Sequence, residues 1–309
     1  MMAVDEVISQ RLASDVPLVG QVSQYIIAAG GKRLRPVLLL LMCGALGYKG
    51  ENHHAMAAVV EFIHTATLLH DDVVDESTLR RGRPTANESF GNPASVLVGD
   101  FLYSRAFQMM VEANNMRVLA TLAEATNVIA EGEVMQLMNM HDASLTPEAY
   151  LHVIESKTAK LFEASSRLAA ILHGASPEVE LACATYGAAL GTAFQLIDDV
   201  LDYAGDATQM GKNLGDDLRE GKTTLPLIVA MQRASSADQA LIRTAIEDGD
   251  VSQLEAVSRI VKSTGALDAS LDFAKVQAQR AVDALAPLPG SAYKTALLEL
   301  PLLSLKRTS

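Results

Sequence analysis

The sequence predicts an all-α protein, and three observations support this class. Aromatic residues make up only 5% of the 309 residues, and tryptophan is absent. Runs of β-branched residues that alternate with polar residues, which are typical of half-buried strands, are hard to find. Apolar residues recur instead at helical spacing along most of the chain, without a Pro-, Gly- or Ser-rich linker. We therefore expect one helical domain that spans residues 1–309.

Helical periodicity covers most of the first two thirds of the chain and continues in shorter pieces to Leu305. The predicted helices are Pro17–Ala29, Leu34–Leu46, His53–Asp75, Ala94–Ala113, Met116–Met140, Pro147–Ile171 and Pro177–Tyr203. Most residues are thus assigned to helices before any motif is considered.

The composition limits the partners and the compartment. A net charge of −12 argues against nucleic acid or anionic membrane surfaces as general partners. Cys43 and Cys183 lie in apolar helical context without metal-ligand spacing, so we expect buried free thiols in a reducing compartment. The first twelve residues lack the features of a secretory signal, and the longest apolar stretch, Val37–Gly47, is too short to cross a bilayer. We expect a cytoplasmic protein without a transmembrane segment.

One acidic pattern occurs twice, as Asp71-Asp72-Val73-Val74-Asp75 and as Asp198-Asp199-Val200-Leu201-Asp202. Each copy follows an apolar run, where carboxylates need a partner. Side chains four residues apart share a helix face, so the first and last aspartates of each copy project together. Asp72 and Asp199 point to the side. Each copy therefore presents a pair of carboxylates.

Two such pairs facing each other would repel strongly unless cations lay between them. Ligand sets made only of oxygen favour hard ions, Mg²⁺ first, and Mg²⁺ commonly shares phosphate oxygens with a substrate. A single copy of the pattern is most often a solvated acidic helix turn. Two copies in matched apolar settings favour a Mg²⁺ site that takes a diphosphate.

Three irregular segments between the predicted helices are rich in Lys and Arg, namely residues 30–36, 79–84 and 210–224. Arg offers a planar fork for two phosphate oxygens and Lys a point charge, so such loops are suited to hold a diphosphate. None of them matches GxxxxGK[ST], which argues against a P-loop NTPase. Each segment alone is more typical of a solvated turn, but together with the acidic motifs they predict phosphate-binding loops.

With these residues the chain resembles the trans-isoprenyl diphosphate synthases, most closely their bacterial long-chain members. The motifs that carry the resemblance are GGKRLRP at 30–36, IHTATLLHDDVVD at 63–75, RRGRPT at 80–85, SVLVGDFLYSRAF at 95–107, SKTA at 156–159, GTAFQLIDDVLD at 191–202 and GKNLGDDLREGKTTLP at 211–226. They follow the family's order and spacing, and the resemblance continues more weakly to the C-terminus.

The resemblance implies a helical bundle around a deep central tunnel, usually in a homodimer, with both acidic motifs at the tunnel mouth. It also implies sequential 1'-4 condensation of isopentenyl diphosphate onto an allylic diphosphate such as farnesyl diphosphate, with three Mg²⁺ ions. The product, a polyprenyl diphosphate for quinone side chains, would be delivered to membrane enzymes. No His–carboxylate base stands out in the sequence, so the resemblance assigns the proton that is lost to the departing diphosphate.

The motif match also implies a role for individual residues. Mg²⁺ on the allylic diphosphate is assigned to Asp71, Asp72, Asp75, Asp198 and Asp202, and Asp199 is grouped with them as catalytic. The same diphosphate would be bound by Arg80, Lys157, Lys212 and Lys222. Isopentenyl diphosphate would be bound by Lys32, Arg35, His64 and Arg81. Thr158 and Gln195 match positions beside the reacting carbon. From its helix position alone, His64 is as well explained as a core residue.

Two residues below the first motif bear on product length. Thr67 lies one turn before Asp71 on the same face, and Ala66 lies beside it, about 7 Å down the helix axis. Both are small where the short-chain farnesyl synthases place aromatic residues, so a product near 40 carbons is expected. Phe101, Met135 and Met138 are candidates for the tunnel floor, although a methionine stripe is more often ordinary core.

Three other interpretations remain open at this point. A terpene cyclase also ionises allylic diphosphates, but its second metal motif is usually of an Asn/Ser/Glu type. A non-catalytic partner of a heteromeric synthase would lose the aspartates that this chain retains. A helical interaction protein with acidic turns leaves the two matched motifs unexplained, and it predicts no stabilisation by Mg²⁺ with diphosphate analogues.

Overall fold

The computed structural model describes residues 1–28, 30–204 and 215–306, and nearly all of its regular structure is helical. Its helices are α1 (Met2–Arg11), α2 (Pro17–Ala28), α3 (Leu34–Leu46), α4 (Asn52–Val74), α5 (Ala86–Phe90), α6 (Asn92–Glu112), α7 (Met116–Met138), α8 (Pro147–Ile154), α9 (Lys160–His173), α10 (Pro177–Ala204), α11 (Asp216–Arg219), α12 (Leu225–Arg233), α13 (Ser236–Asp248), α14 (Leu254–Ser263), α15 (Ala266–Ala284) and α16 (Ala292–Leu305). A π-helical turn, Glu155–Ala159, joins α8 to α9, and a 3₁₀ turn, Val251–Gln253, precedes α14. Strands β1 (Leu79–Arg80) and β2 (Arg83–Pro84) pair antiparallel. The predicted all-α class is confirmed.

The predicted helices agree with the observed ones to within a few residues at most ends; Ala29, the last residue of the first predicted helix, lies outside the described residues. Four elements are not predicted. Helix α5 has only five residues, too few to show a helical period. Helix α1 is anchored by only two buried residues, Val4 and Ile8, which is too little for a periodic signal. The hairpin is too short to show alternation. The π-helical turn interrupts the predicted helix Pro147–Ile171 but leaves the apolar spacing on either side intact.

By compactness, the described residues form two units, each assembled from several stretches of chain. The first contains Met1–Thr126, Ala164–Ala184 and Pro287–Leu297. Helix α4 runs through its core and packs against α3 and α6. The hydroxyl of Ser95 on α6 donates to the carbonyl oxygen of Leu69 on α4 at 2.8 Å. These contacts hold the end of α4 that carries the first acidic motif.

The second unit comprises the described residues of Asn127–Glu163, Thr185–Ala286 and Leu298–Ser309. Its apolar core gathers side chains from α8, α10, α12, α13, α14 and α15, among them Tyr150, Ile197, Ile228, Ile242, Val257 and Ala274. Burial of this cluster anchors the helix that carries the second acidic motif. That the chain acts as one domain over residues 1–309 stays a prediction.

The predictions about the two cysteines and about membrane-spanning helices can be compared with the described helices. Cys43 and Cys183 are free and buried, as predicted. Burial raises the pKa of each thiol to about 12, with smaller contributions from Cys183 at Cys43 and from Glu180 at Cys183. Both thiols therefore stay protonated at neutral pH. Within residues 1–28, 30–204 and 215–306, no helix is both long and apolar enough to span a bilayer.

Candidate active site

The first acidic motif occupies the last turn of α4 and the residue that caps it. Asp71 and Asp75 are partly exposed, whereas Asp72 is fully buried with 0% of its surface exposed. The difference agrees with the helix-face argument, in which residues four apart project together and the residue between them points elsewhere. Two carboxylates of this motif are thus accessible to a ligand, and the third faces the protein interior.

The buried Asp72 is bound by Arg80 of the hairpin. Arg80 Nε donates to both carboxylate oxygens of Asp72 at 2.9 and 3.1 Å, and Nη2 donates to Oδ1 at 2.6 Å. Burial acts to lower the pKa of Arg80, but the hydrogen bond to Asp72 and the charges of Asp72, Asp71 and Asp75 together raise it. Arg80 is therefore a fixed cation beside the motif.

The hairpin turn explains how Arg80 returns to α4. Arg81 and Gly82 form the two-residue loop, and both have left-handed backbone conformations, with φ of 54° and 73°. Two such residues in sequence are typical of the type I′ turns that join short antiparallel strands. The chain reverses within two residues and brings consecutive arginines to the same end of α4.

Arg35 and His64 form the centre of a cationic cluster in the first unit. Arg35 Nη1 lies 3.2 Å from His64 Nε2, and because a guanidinium only donates, His64 accepts through Nε2 and carries its proton on Nδ1. Burial, followed by the charges of Arg35, Arg80 and Arg81, lowers the pKa of His64 well below its usual value. Burial also lowers the pKa of Arg35 to about 10, so Arg35 remains charged at neutral pH.

Arg81 closes this cluster against the glycine-rich loop that precedes α3. A Cβ atom at Gly31 would lie 2.7 Å from Arg81 Nη1, so only a glycine lets the guanidinium approach the backbone so closely. Lys32 follows directly and is exposed. The four residues predicted to bind isopentenyl diphosphate therefore all lie in one unit, and the charges of Arg35 and Arg81 both act on His64.

A carboxylate that the sequence analysis missed lies among these cations. Glu61 is on α4, three residues before His64, and is partly buried. Burial raises its pKa, while the charges of Arg35, Arg33 and Arg81 oppose that rise. A carboxylate at this position reduces the mutual repulsion of the arginines before an anion binds. The i, i+3 spacing from His64 is the signal that points to it.

The second acidic motif lies inside α10 and is not a geometric copy of the first. Asp198 is partly exposed, but Asp199 and Asp202 are buried, with 3% and 1% of their surfaces exposed. Asp202 Oδ2 accepts a hydrogen bond from the backbone N–H of Asp217, at 3.3 Å. Only Asp198 is thus directly accessible, which the shared sequence pattern does not predict.

Lys157 and Thr158 lie in the π-helical turn, which is packed between two glycines. A Cβ atom at Gly132 on α7 would lie 2.7 Å from the backbone N of Lys157, and one at Gly191 on α10 would lie 2.7 Å from Cα of Ala159. Both contacts are with backbone atoms, which do not move aside as a flexible side chain does. The two glycines therefore fix where the turn presents its side chains.

The lysines predicted to bind the allylic diphosphate are held by acidic neighbours where they are described. Lys157 Nζ lies 2.6 Å from Glu133 Oε2, and Lys222 Nζ lies 2.5 Å from Glu220 Oε2. Glu133 is a second carboxylate that the sequence analysis missed; no motif marks it. Lys212 lies outside the described residues.

A chain of hydrogen bonds connects Thr158 to the second motif. Thr158 Oγ1 donates to Gln195 Oε1 at 3.0 Å, and Gln195 Nε2 donates to Asp199 Oδ1 at 2.7 Å. The hydroxyl of Tyr150, also missed from the sequence, donates to the other oxygen, Asp199 Oδ2. Burial and the charge of Asp217 raise the pKa of Asp199, against the hydrogen bonds from Tyr150 and Gln195. Predicted cation-stabilising residues and a predicted catalytic aspartate thus form one network.

The residues expected to control product length lie on α4. Ala66 is fully buried, and Thr67 is partly buried with its hydroxyl donating to the carbonyl oxygen of His64 at 2.8 Å. Their part in chain length stays a prediction. The prediction that Met138 contributes to a tunnel floor is wrong, because Met138 lies at the end of α7 with 78% of its surface exposed.

The predicted site residues thus fall into two sets. The first unit contains Lys32, Arg35, His64, Ala66, Thr67, Asp71, Asp72, Asp75, Arg80 and Arg81, and the second contains Lys157, Thr158, Gln195, Asp198, Asp199, Asp202 and Lys222. Over the described part of the chain, no three His, Cys, Asp or Glu side chains already converge as a metal cage. Sites of this kind can bind Mg²⁺ when a substrate's phosphate oxygens complete the set of ligands.

Comparison with known proteins identifies the family of this chain. The family model for polyprenyl synthetase matches residues 16–264. Octaprenyl diphosphate synthase of Escherichia coli strain K12 is 51% identical to this chain over 99% of its length and 95% of the enzyme's. An all-trans-nonaprenyl-diphosphate synthase of Rhodobacter capsulatus, described as geranyl-diphosphate specific, is 48% identical over 99% of this chain and 94% of the enzyme.

A solved structure extends this likeness to three dimensions. The polyprenyl synthase of Caulobacter crescentus, crystallised with calcium and isoprenyl diphosphate, superposes with a TM-score of 0.97 at 45% identity, covering 100% of this chain and 95% of that one. The matches span both acidic motifs and every cationic residue named above. The chain therefore belongs to the polyprenyl synthetase family.

Proposed function

We propose that this protein is a Mg²⁺-dependent long-chain trans-polyprenyl diphosphate synthase that adds isopentenyl diphosphate units to an allylic diphosphate such as farnesyl diphosphate. One observation carries the proposal: Arg35, His64, Arg80 and Arg81 cluster beside an acidic motif with two accessible carboxylates. Such a cluster is suited to a diphosphate, since guanidinium groups bind paired phosphate oxygens and carboxylates bind the accompanying metal.

The carboxylates present fit Mg²⁺ because the donors are all oxygen. Asp71, Asp75 and Asp198 are the accessible ones, and we assign them the metal. Asp72 and Asp202 are buried and would contribute through water and not directly. Three ions per site are proposed from the resemblance to the family. When bound, Mg²⁺ neutralises charge that develops on the departing diphosphate.

The side chains of the chain itself perform the remaining tasks. Lys32, Arg35, His64 and Arg81 bind isopentenyl diphosphate; neutral His64 donates through Nδ1, and the arginines supply charge. Arg80, Lys157, Lys212 and Lys222 bind the allylic diphosphate. Pre-positioning of both substrates lets the allylic cation meet the isopentenyl double bond before water does. Thr158 and Gln195 stabilise that cation, and the proton lost after C–C bond formation goes to diphosphate.

The relatives support a long product, and the homodimer is proposed from the resemblance to the family. Identity of 51% to an octaprenyl diphosphate synthase supports a product near 40 carbons, and 48% identity to a nonaprenyl synthase supports a long chain of similar length. We further propose a cytoplasmic homodimer whose product is delivered to membrane enzymes that attach quinone side chains.

A product assay tests this function. Purified protein with Mg²⁺, labelled isopentenyl diphosphate and farnesyl diphosphate is expected to yield one dominant product near C40 after removal of the diphosphate. A product of C15 or C20 would keep the reaction class but contradict the proposed length. Folded protein that elongates nothing would overturn the proposal and favour a cyclase or a regulatory subunit.

Replacing Ala66 by phenylalanine is expected to shorten the product. Ala66 is fully buried below the first motif, so an aromatic ring there would occupy the space that the growing tail needs. Overpacking of this kind costs about 1–3 kcal/mol of stability, so thermal unfolding must be measured with the product distribution. An unchanged distribution from a folded variant would show that the tail does not pass Ala66. Ala66→Val is the smaller matched step, with a smaller shift expected.

A further inference from the structure

We propose that Asp199 and Tyr150 are positioning residues that hold the side-chain amide of Gln195 with its carbonyl oxygen toward the reacting carbon of the allylic substrate. The proposal rests on the condensation activity proposed above. It separates Asp199 from the metal-binding carboxylates with which its motif groups it.

The orientation of the Gln195 amide is determined by its neighbours. A side-chain amide has one edge that donates and one that accepts, and a flip exchanges them. Both oxygens of Asp199 accept hydrogen bonds, Oδ2 from the Tyr150 hydroxyl and Oδ1 from Gln195 Nε2 at 2.7 Å, so the NH₂ group faces the carboxylate. The carbonyl oxygen then faces the opposite way, where it accepts from the Thr158 hydroxyl at 3.0 Å.

Tyr150 secures the other side of the carboxylate. Its hydroxyl donates to Asp199 Oδ2, so both oxygens of Asp199 are engaged by protein donors. The two side chains are almost fully buried, with 4% and 3% of their surfaces exposed, whereas the neighbouring Asp198 is accessible. A carboxylate held in this way is placed to orient Gln195 and not to bind Mg²⁺ directly.

The direction of the amide matters because of the charge that develops in the reaction. Ionisation breaks the bond between the allylic carbon and oxygen, and the electron pair leaves with the diphosphate. The carbon is left positive until the isopentenyl double bond attacks it. A carbonyl dipole that points its oxygen at this carbon lowers the barrier, and the NH₂ edge in the same place raises it. Asp199 and Tyr150 therefore act on kcat through Gln195.

A double-mutant cycle tests the proposal. Asp199→Asn puts an NH₂ group where Asp199 accepts two hydrogen bonds, so the Gln195 amide is no longer held in one orientation, and we expect kcat to fall about 10–100-fold, as for other displaced positioning groups. Tyr150→Phe removes one donor and is expected to cost less. In a Gln195→Met background, which keeps the length but has no amide, Asp199→Asn should lower kcat by less than about threefold, because coupled residues are not additive. The KM for isopentenyl diphosphate should not change.

Two further measurements keep the result unambiguous. Tyr186→Phe is the control. It removes the hydroxyl of a buried tyrosine on α10 that has no part in the proposal, and it should leave kcat within about twofold. The Mg²⁺ concentration at half-maximal rate should be the same in Asp199→Asn as in the natural protein. Equal losses in both Gln195 backgrounds, or a raised Mg²⁺ requirement, would overturn the proposal and make Asp199 a metal ligand. If Gln195→Met is too slow to measure, the Mg²⁺ requirement decides alone. Absence of elongation by the natural protein would instead refute the proposed function.

Discussion

Replacing Asp72 by alanine is expected to lower the free energy of unfolding by about 3 kcal/mol, because breaking one side of a buried ion pair leaves the other charge uncompensated. The Asp72 carboxylate is fully buried and accepts three hydrogen bonds from Arg80. The Arg80 side chain is 27% exposed and recovers some hydration, so the lower end of the range for buried pairs applies. Urea unfolding monitored by circular dichroism measures the loss. Turnover should also fall, since Arg80 is released from its position.

The adjacent Asp71→Ala variant is the matched control. Asp71 is partly exposed and lies in the last turn of α4, where the helix dipole disfavours a negative charge. We expect its stability to stay within about 1 kcal/mol of the natural protein, as for most exposed substitutions, while kcat falls about 10²–10³-fold, as when a preorganised charge-stabilising group is lost. If Asp71→Ala unfolds the protein and Asp72→Ala does not, the division of the motif into accessible and buried carboxylates is wrong.

The different burial of Asp71 and Asp72 shows which features of the first motif could be predicted from the sequence. Helical spacing predicts that Asp71 and Asp75 share a face and that Asp72 does not, and the burial of Asp72 agrees with this. Spacing cannot predict that Asp72 binds Arg80, since that contact depends on a hairpin of two left-handed residues. The same spacing fails at Asp202, which is buried and accepts a hydrogen bond from the backbone N–H of Asp217.

Most of the fold could be predicted because apolar periodicity decides it locally. The predicted helix His53–Asp75 is observed as Asn52–Val74, for example. Periodicity does not predict which separate segments of the chain approach each other. Tyr150 and Glu133 join the site only because tertiary packing brings them to Asp199 and Lys157, and no local pattern marks either one.

The π-helical turn approaches Gly132 and Gly191 closely, and a substitution at either glycine is the second change with a large expected effect. Replacing Gly132 by alanine is expected to lower kcat by about 10²-fold, the usual consequence of displacing a catalytic group by about 1 Å. The new Cβ would lie 2.7 Å from the backbone N of Lys157 and 3.1 Å from its Cα, so α7 or the turn has to shift. Overpacking should also cost about 1–3 kcal/mol of stability. Steady-state kinetics and urea unfolding measure the two effects.

Gly20→Ala separates this steric effect from the general consequence of removing a glycine from a helix. Gly20 lies inside α2, and its Cβ would meet nothing within 4 Å. Alanine there should raise stability by about 0.5–1 kcal/mol through helix propensity alone, without changing kcat. Gly191→Ala should resemble Gly132→Ala, since its Cβ would lie 2.7 Å from Cα of Ala159 in the same turn. Normal turnover in both would mean that Lys157 and Thr158 tolerate displacement, and that the two glycines serve packing and not catalysis. A loss confined to these two variants would instead establish that the position of the turn limits the rate.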